Sequence, residues 1–306
     1  VAPERVIGVD LGGTKILAGV VDRDGTVERR RELPTPLASQ DELLGGLAEA
    51  VGDVLEDDVA ALGFGIPSTI DQRSGKAVTS VNIPLADLDL RVWMRERFGL
   101  PVGIDNDANA ATLAEWAHGA GRGTRHMVML TLGTGVGGGL ILDGKPYRGA
   151  IGAGAELGHM VIDLDGPPCQ GACTGRGHLE ALASGHAATL AAQKQFGAAA
   201  DAHRLVRLAT EGDRAAVALL AELGHRLGAG MVSLVNIFNP ELIVVGGGFS
   251  AAGDFLLEPA HEVVAREALS PAREFVRIVR AELGTAAGLV GAGLVAFEAL
   301  DGAGAA

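Results

Sequence analysis

VIGVDLGGTK, Val6–Lys15, is the stretch whose reading decides the fold. A short apolar run ends in the acid Asp10 and meets a Gly12–Gly13 turn, and Lys15 to Val21 then returns as a second strand. The Asp24–Gly25 pair makes the next turn into a strand over Val27–Leu33, so the chain opens as antiparallel strands. This is no Walker A loop, which needs a following helix and a terminal GKS or GKT. A Gly-Gly-Thr turn between strands can still point backbone N–H groups and a hydroxyl at phosphate oxygens. Alone it is equally well a polar hairpin turn. Asp10, at the strand end, is placed to hold Mg²⁺ through water.

The same grammar then recurs. His126 to Leu132 is an apolar strand, Gly133–Gly135 a turn, Gly137–Leu142 a returning strand, and Asp143–Gly144 closes it. Two such units in order predict a duplicated α/β fold, with LGTGVGGG (Leu132–Gly139) as a second phosphate turn. Between them lie a helix over Asp41–Leu55, a buried strand Val59–Ile66, a short strand Val102–Asp105 and a helix over Asp107–His118. Gly119–Gly123 is the candidate hinge. Leu220, Leu223, Leu227, Met231, Leu234, Val235 and Phe238 keep the spacing of an amphipathic helix. A strand over Leu242–Val245 runs into Gly246, Gly247 and Gly248, a third glycine cluster at a nucleotide edge. Thr285–Leu300 is helical in pattern, and Gly288, Gly291 and Gly293 permit close packing. The expected division is a small lobe over 1–118 and a larger one over 119–284, with the helix from about 285 to 306 packing back on the first.

Composition narrows the classes. A chain of 306 residues, 48% hydrophobic and 21% charged, is a globular protein rather than a disordered, collagenous or disulfide-scaffolded one. The net charge of −13 opposes a general affinity for nucleic acid or anionic membrane. No apolar run approaches the length of a membrane span, and VAPERVIGVDLGG lacks the pattern of a secretory leader. The cytoplasm is the expected compartment, and a homo-oligomer, dimer or tetramer, the expected state.

The chemistry concentrates in two places. In Ile104–Asn109, IDNDAN, acids sit where a strand becomes a helix. Asp107 could simply cap that helix, but a cap does not explain three polar side chains in Asp105–Asp107. A carboxylate there can take a proton from a hydroxyl nucleophile, and phosphoryl transfer needs little more than a base, a metal ion and positioned donors. In the other place, Glu156 and His159 stand three residues apart with Glu180 behind, a set suited to polyol hydroxyls. His159, Cys169, Cys173 and His178 fall in one glycine-rich segment and offer the ligands of a tetrahedral zinc site. The alternative is two ordinary thiols and two unrelated histidines.

Taken together, DLGGTK (Asp10–Lys15), DNDANAA (Asp105–Ala111), LGTGVGGG (Leu132–Gly139) and ELGH (Glu156–His159) resemble the ROK family. That family comprises sugar kinases and related transcriptional repressors of actin/hexokinase-like (ribonuclease H-like) fold, two lobes with a cleft between them. The likeness runs from about residue 5 to about residue 300. It implies Asp107 as catalytic base, with Asn106, Glu156, His159 and Glu180 on the sugar hydroxyls. It implies Gly12, Gly13, Thr14 and Lys15 as the first phosphate loop, Gly133 and Thr134 in the second, and Gly246 to Gly248 near adenosine. Two departures stand out. Pro67 is followed by Ser68 where the family shows glycine, and Ser68 is kept as a sugar contact. The zinc segment has Gly171 and His178 at two cysteine positions, with Cys169 displaced by two residues. The zinc is expected to be structural and remote from phosphoryl transfer, acting on sugar binding rather than on ATP.

The expected activity is therefore an ATP- and Mg²⁺-dependent hexose kinase acting on a 6-hydroxyl, with glucose the favoured acceptor. Mannose, fructose, allose, N-acetylated hexosamines and a polyphosphate donor remain alternatives. A sugar-responsive repressor is the rival from another class. Five residues before the first strand, in an acidic chain, leave no room for a DNA reader. A non-catalytic sugar-binding regulator is disfavoured by Asp107 and the two loops.

Overall fold

The computed structural model describes residues 4–80 and 83–303, which divide into two compact units. Unit 1 comprises 1–122, 146–154 and 282–306, and unit 2 comprises 123–145 and 155–281. The chain first passes from unit 1 to unit 2 at Arg122–Gly123. A nine-residue excursion, Pro146–Gly154, counts with unit 1, which no feature of the sequence had marked.

Unit 1 opens with β1 (Arg5–Leu11), β2 (Lys15–Asp22) and β3 (Val27–Pro34), antiparallel in succession. Helix α1 (Gln40–Val54) follows, started by a side-chain cap: the Ser39 hydroxyl accepts from the Glu42 N–H at 3.2 Å. β4 (Val59–Ile66) joins parallel to β1, and a hairpin of β5 (Ser68–Asp71), β6 (Lys76–Ser80) and β7 (Leu88–Asp89) stands apart. Then come α2 (Leu90–Phe98), β8 (Val102–Asn106) and α3 (Asp107–His118), giving a five-stranded sheet in the order β3-β2-β1-β4-β8. The final helix, α10 (Ala287–Ala303), lies on this sheet and against α3. Glycine makes the approach possible: a Cβ at Gly63 on β4 would sit 1.9 Å from the Ala292 carbonyl oxygen, and one at Gly291 equally close to that of Ala110. Leu289, Val290 and Phe297 are thereby buried, each contributing about 1.5–3 kcal/mol of transfer free energy.

Unit 2 repeats the plan. β9 (Met127–Leu132), β10 (Val136–Leu142), β11 (Lys145–Pro146), β12 (Leu242–Gly246) and β13 (Arg277–Arg280) form a second sheet in the order β11-β10-β9-β12-β13. The order, and the antiparallel hairpin beside a parallel pair, match the first sheet position for position, as the recurring strand-turn-strand grammar predicted. Asp143 and Gly144 both take positive φ, 53° and 71°, as a two-residue hairpin loop requires. The helices are α4 (Leu179–Ala183), α5 (Gly185–Phe196), α6 (Ala202–Thr210), α7 (Arg214–Phe238), α8 (Asp254–Glu267) and α9 (Ala272–Phe275). Helix α7 carries the predicted amphipathic stripe: Leu220, Leu223, Leu227, Met231, Leu234 and Val235 are all buried in the core of this unit.

One expectation needs correction. α7 and the segment Gly284–Ala303 are long and apolar enough, by length and composition, to cross a membrane. Their apolar faces instead pack within their own units, α7 against α8 and α10 against the first sheet.

Candidate functional site

The β8–α3 junction gives each polar residue of Asp105–Asp107 a separate task. Asn106, not Asp107, caps α3: its side-chain oxygen accepts from the N–H groups of Ala108 and Asn109 at 2.9 and 3.3 Å. Its Nδ2 donates one hydrogen to the Ser68 carbonyl at 3.4 Å, so with the side-chain oxygen engaged the second Nδ2 hydrogen is left for a ligand. Asp105 is buried and accepts from the Asn106 N–H, from Asn109 Nδ2 and from Arg148 Nε. Arg148 reaches on to Glu298 of α10 at 2.7 Å. Asp107 opens the helix, with its Oδ1 accepting from the Ala108 N–H at 2.9 Å. The Ser68 hydroxyl is buried within the hairpin and accepts from Ser80 at 2.9 Å, because β5 and β6 pair there.

Asp10 shares this neighbourhood. Burial, then the negative charge of Asp107, pushes its carboxyl up to about 6, partly offset by Lys15. Gly288 of α10 makes room beneath it, since a Cβ there would lie 2.4 Å from Asp10 Oδ2. The first turn is held by Gly12 N–H donating to the Lys15 carbonyl at 2.8 Å and by Thr35 donating to the carbonyls of Gly12 and Thr14. Thr14 and Lys15 are exposed, but the Lys15 ammonium pairs with Glu32 at 3.1 Å, an exposed pair that a phosphate could displace at little cost.

A carboxyl titrating near pH 6 in the fold takes up its proton more readily than in the unfolded chain. Stability therefore falls as pH rises between roughly 4 and 6, and the cost is complete above that window. Asp10→Asn, in chelator-treated protein, should melt higher than wild type at pH 8, with the difference vanishing below about pH 4. Its turnover should fall. Thermal melts over that pH range decide it, and an equal or lower melting temperature at pH 8 refutes the burial argument.

In unit 2 the second turn is exposed at Gly133 and Thr134 and lines a cavity of about 420 Å³, within the size range of small-molecule sites. Gly185, His186, Thr189, Gly248 and Phe249 complete much of its wall. The glycine triplet divides its roles. Gly246 is buried inside β12 between Met129 and Ala281, and Gly247, at φ 83°, presses on the backbone of Leu132, so only Gly248 reaches the cavity. His186 and Thr189 of α5, Val206 of α6 and Phe249 were not marked by sequence reasoning. They stand 50 or more residues beyond the turn, and only the Ser184–Gly185 helix start hinted at them.

The four proposed metal ligands come together. The ligand atoms of His159, Cys169, Cys173 and His178 lie within 4.8 Å of one another. A tetrahedral zinc with bonds of about 2.05 Å to nitrogen and 2.3 Å to sulfur needs edges of about 3.3 Å (N–N) and 3.6 Å (N–S). The two Nδ1 atoms are 3.2 Å apart, Cys169 Sγ is 3.7 Å from His159, and Cys173 Sγ is 3.6 Å from His178. The donor set fits. With Nδ1 of His159 turned into the cluster, Nε2 is the atom left for a hydroxyl.

Glu156 is exposed and precedes the short turn Leu157–His159. Glu180 does more than was expected. Its Oε2 accepts from the Val136 N–H at 2.9 Å while Cys169 Sγ lies 3.6 Å from its Oε1. A single side chain thus bridges the His/Cys cluster and the turn between β9 and β10.

The chain matches the ROK family over residues 6–299. It is 35% identical to the glucokinase of Streptomyces coelicolor over 95% of this chain and 97% of that one. The glucokinase of Thermotoga maritima is 34% identical over 97% of this chain and 99% of its own length. A ROK family glucokinase from Streptomyces griseus, solved in complex with glucose and AMPPNP, is similar in structure with a TM-score of 0.85. It is 34% identical, over 96% of this chain and 99% of that one.

Proposed function

This chain belongs to the ROK family, and we propose that within it the protein is an ATP-dependent glucokinase phosphorylating the 6-hydroxyl. The observation that carries the reading is the division of labour at the β8–α3 junction. Asp105 is paired and Asn106 caps the helix, and Asp107 stands in the first turn beside the raised carboxyl of Asp10. Asp107 accepts the proton of the 6-hydroxyl as that oxygen attacks the γ-phosphorus. The bond to the bridging oxygen breaks, ADP departs with its electron pair, and Asp107 returns the proton to solvent. The cavity at Gly133, Thr134 and Gly248 takes the nucleotide, and Gly12, Gly13 and Thr14 offer donors to phosphate oxygens. Asn106 Nδ2, Glu156, His159 Nε2 and Glu180 meet the other hydroxyls. Asp10 fits Mg²⁺, because a buried carboxyl lifted by a second carboxylate is stabilised by a divalent cation, which would neutralise phosphate charge when bound.

An ADP-release assay over glucose, mannose, fructose, allose and N-acetylated hexosamines, with polyphosphate as a second donor, tests the reading. The specificity constant should be highest for glucose with ATP. A higher value for N-acetylmannosamine or fructose overturns the choice of sugar. The reading places the protein in the cytoplasm as a homo-oligomer with sugar and nucleotide, not nucleic acid, as its ligands.

The cluster of His159, Cys169, Cys173 and His178 fits one structural zinc per chain, supported by the match of its spacings to tetrahedral edges. Zinc would fix the segment between His159 and Glu180 and convert both thiols to thiolates. Metal analysis of protein purified without chelator should give one zinc per chain. Full activity in zinc-free protein would make Cys169 and Cys173 ordinary thiols.

A further inference from the structure

Gln170 follows the ligand Cys169 directly, and its side chain leaves the metal segment for the nucleotide turn. Nε2 lies 3.2 Å from the Thr134 carbonyl oxygen and 3.2 Å from Ser184 Oγ. Ser184 is the cap of α5, its hydroxyl accepting from the Ala187 N–H. The next two residues finish the attachment: Gly185 N–H donates to the Gly133 carbonyl at 2.9 Å and His186 N–H to that of Thr134 at 3.2 Å. In a trans peptide the N–H points opposite to the carbonyl of the same plane. Fixing the carbonyls of Gly133 and Thr134 therefore fixes the N–H directions of Thr134 and Gly135, donors that a phosphate oxygen would meet.

We propose that Gln170 is a positioning residue for the nucleotide, through which metal-imposed order in the Cys169–His178 segment sets the affinity for nucleotide phosphates. The inference rests on the kinase and zinc readings above. Its physical content is a short lever. A metal on Cys169 Sγ immobilises the residue whose neighbour holds Thr134, and Cys169 N–H is itself tied to the Gly175 carbonyl at 2.9 Å. Without the metal, the Gln170 amide must be ordered at the cost of its own rotamer freedom, and its grip on the turn weakens. Loss of Gln170 leaves Gly185 N–H on the Gly133 carbonyl and His186 N–H on that of Thr134, so the turn keeps two of these three tethers and the fold is not at stake.

The test is calorimetric titration of ADP into three proteins: zinc-loaded wild type, chelated wild type and zinc-loaded Gln170→Ala. The Kd for ADP should rise about fivefold to tenfold in Gln170→Ala, the worth of one or two neutral hydrogen bonds. KM for ATP should rise in parallel, while KM for glucose stays near its wild-type value and kcat at saturating ATP changes less than KM. Chelated wild type should lose ADP affinity to a similar extent and regain it when zinc is restored. An unchanged ADP affinity in Gln170→Ala, or in chelated protein that keeps its circular dichroism, overturns the proposal. Wild type that binds no ADP at all would instead remove the kinase reading, a distinguishable result.

Discussion

Replacing Asp107 by asparagine lowers kcat by at least about a hundredfold, the lower end of what general-base removal costs. Asparagine preserves the shape at the head of α3, and its side-chain oxygen can still accept from the Ala108 N–H, as Asp107 does at 2.9 Å. It cannot take the proton of an attacking hydroxyl. The helix loses no cap, because Asn106 performs that task. The change also removes one cause of the raised Asp10 carboxyl, so Asp10 moves back toward its ordinary value and its cost to the fold at neutral pH shrinks. The variant should therefore melt no lower than wild type at pH 7.5 and bind glucose nearly as well by calorimetry. That combination separates lost chemistry from lost structure. Turnover near wild type in Asp107→Asn would take the base role away from this residue.

What the sequence made legible was local. β4 and α3 fall at their expected bounds, Val59–Ile66 and Asp107–His118, because each is a clear period between strong stop signals. The duplication was legible because two hairpins repeat the same turn residues. The grouping of His159, Cys169, Cys173 and His178 was legible because the four lie within twenty residues of chain. The β5–β6 hairpin was not, since its strands are short and polar and bury only Ser68, Ile70 and Ala77 among the described side chains. That Asn106 rather than Asp107 caps α3 was invisible because both side chains cap helices well and stand side by side. The separate placements of Gly246, Gly247 and Gly248 at the end of β12 were hidden for a related reason. A missing Cβ serves packing at Gly246 and close backbone approach at Gly247 as readily as it serves a ligand at Gly248. Arg148 was beyond reach, because it finds Asp105 across 43 residues and nothing local in its own stretch marks it.

Arg148 nonetheless carries the second large effect. Asp105 is 2% exposed at its side chain and Arg148 22%, so the pair is desolvated, and Arg148 also holds Glu298 of α10. Glu298 is raised by burial and by the charge of Asp105, and only Arg148 opposes this. Arg148→Ala would leave the Asp105 carboxylate buried with the Asn106 N–H and Asn109 Nδ2 alone, and would leave Glu298 facing it. Removing one partner of a buried pair costs about 3–5 kcal/mol, which lowers the melting temperature by about 5–8 °C in a protein of this size. The uncompensated charge, not the lost contact, dominates that figure, and a second substitution shows it. Asp105→Asn in the Arg148→Ala background removes the stranded carboxylate while keeping an acceptor for the same two N–H groups, so it should recover a substantial part of the loss. Activity responds for a connected reason. Asp105 steadies the backbone of Asn106 and the side chain of Asn109 on either side of Asp107, so kcat should fall in Arg148→Ala, while ADP affinity should stay near its wild-type value because the side-chain hydrogen bonds of Arg148 go to Asp105 and Glu298 and to neither proposed phosphate turn. A full-height melt for Arg148→Ala, or losses that simply add in the double variant, would mean that Asp105 is not held as a charge and that the corner beneath Asp107 is rigid without it.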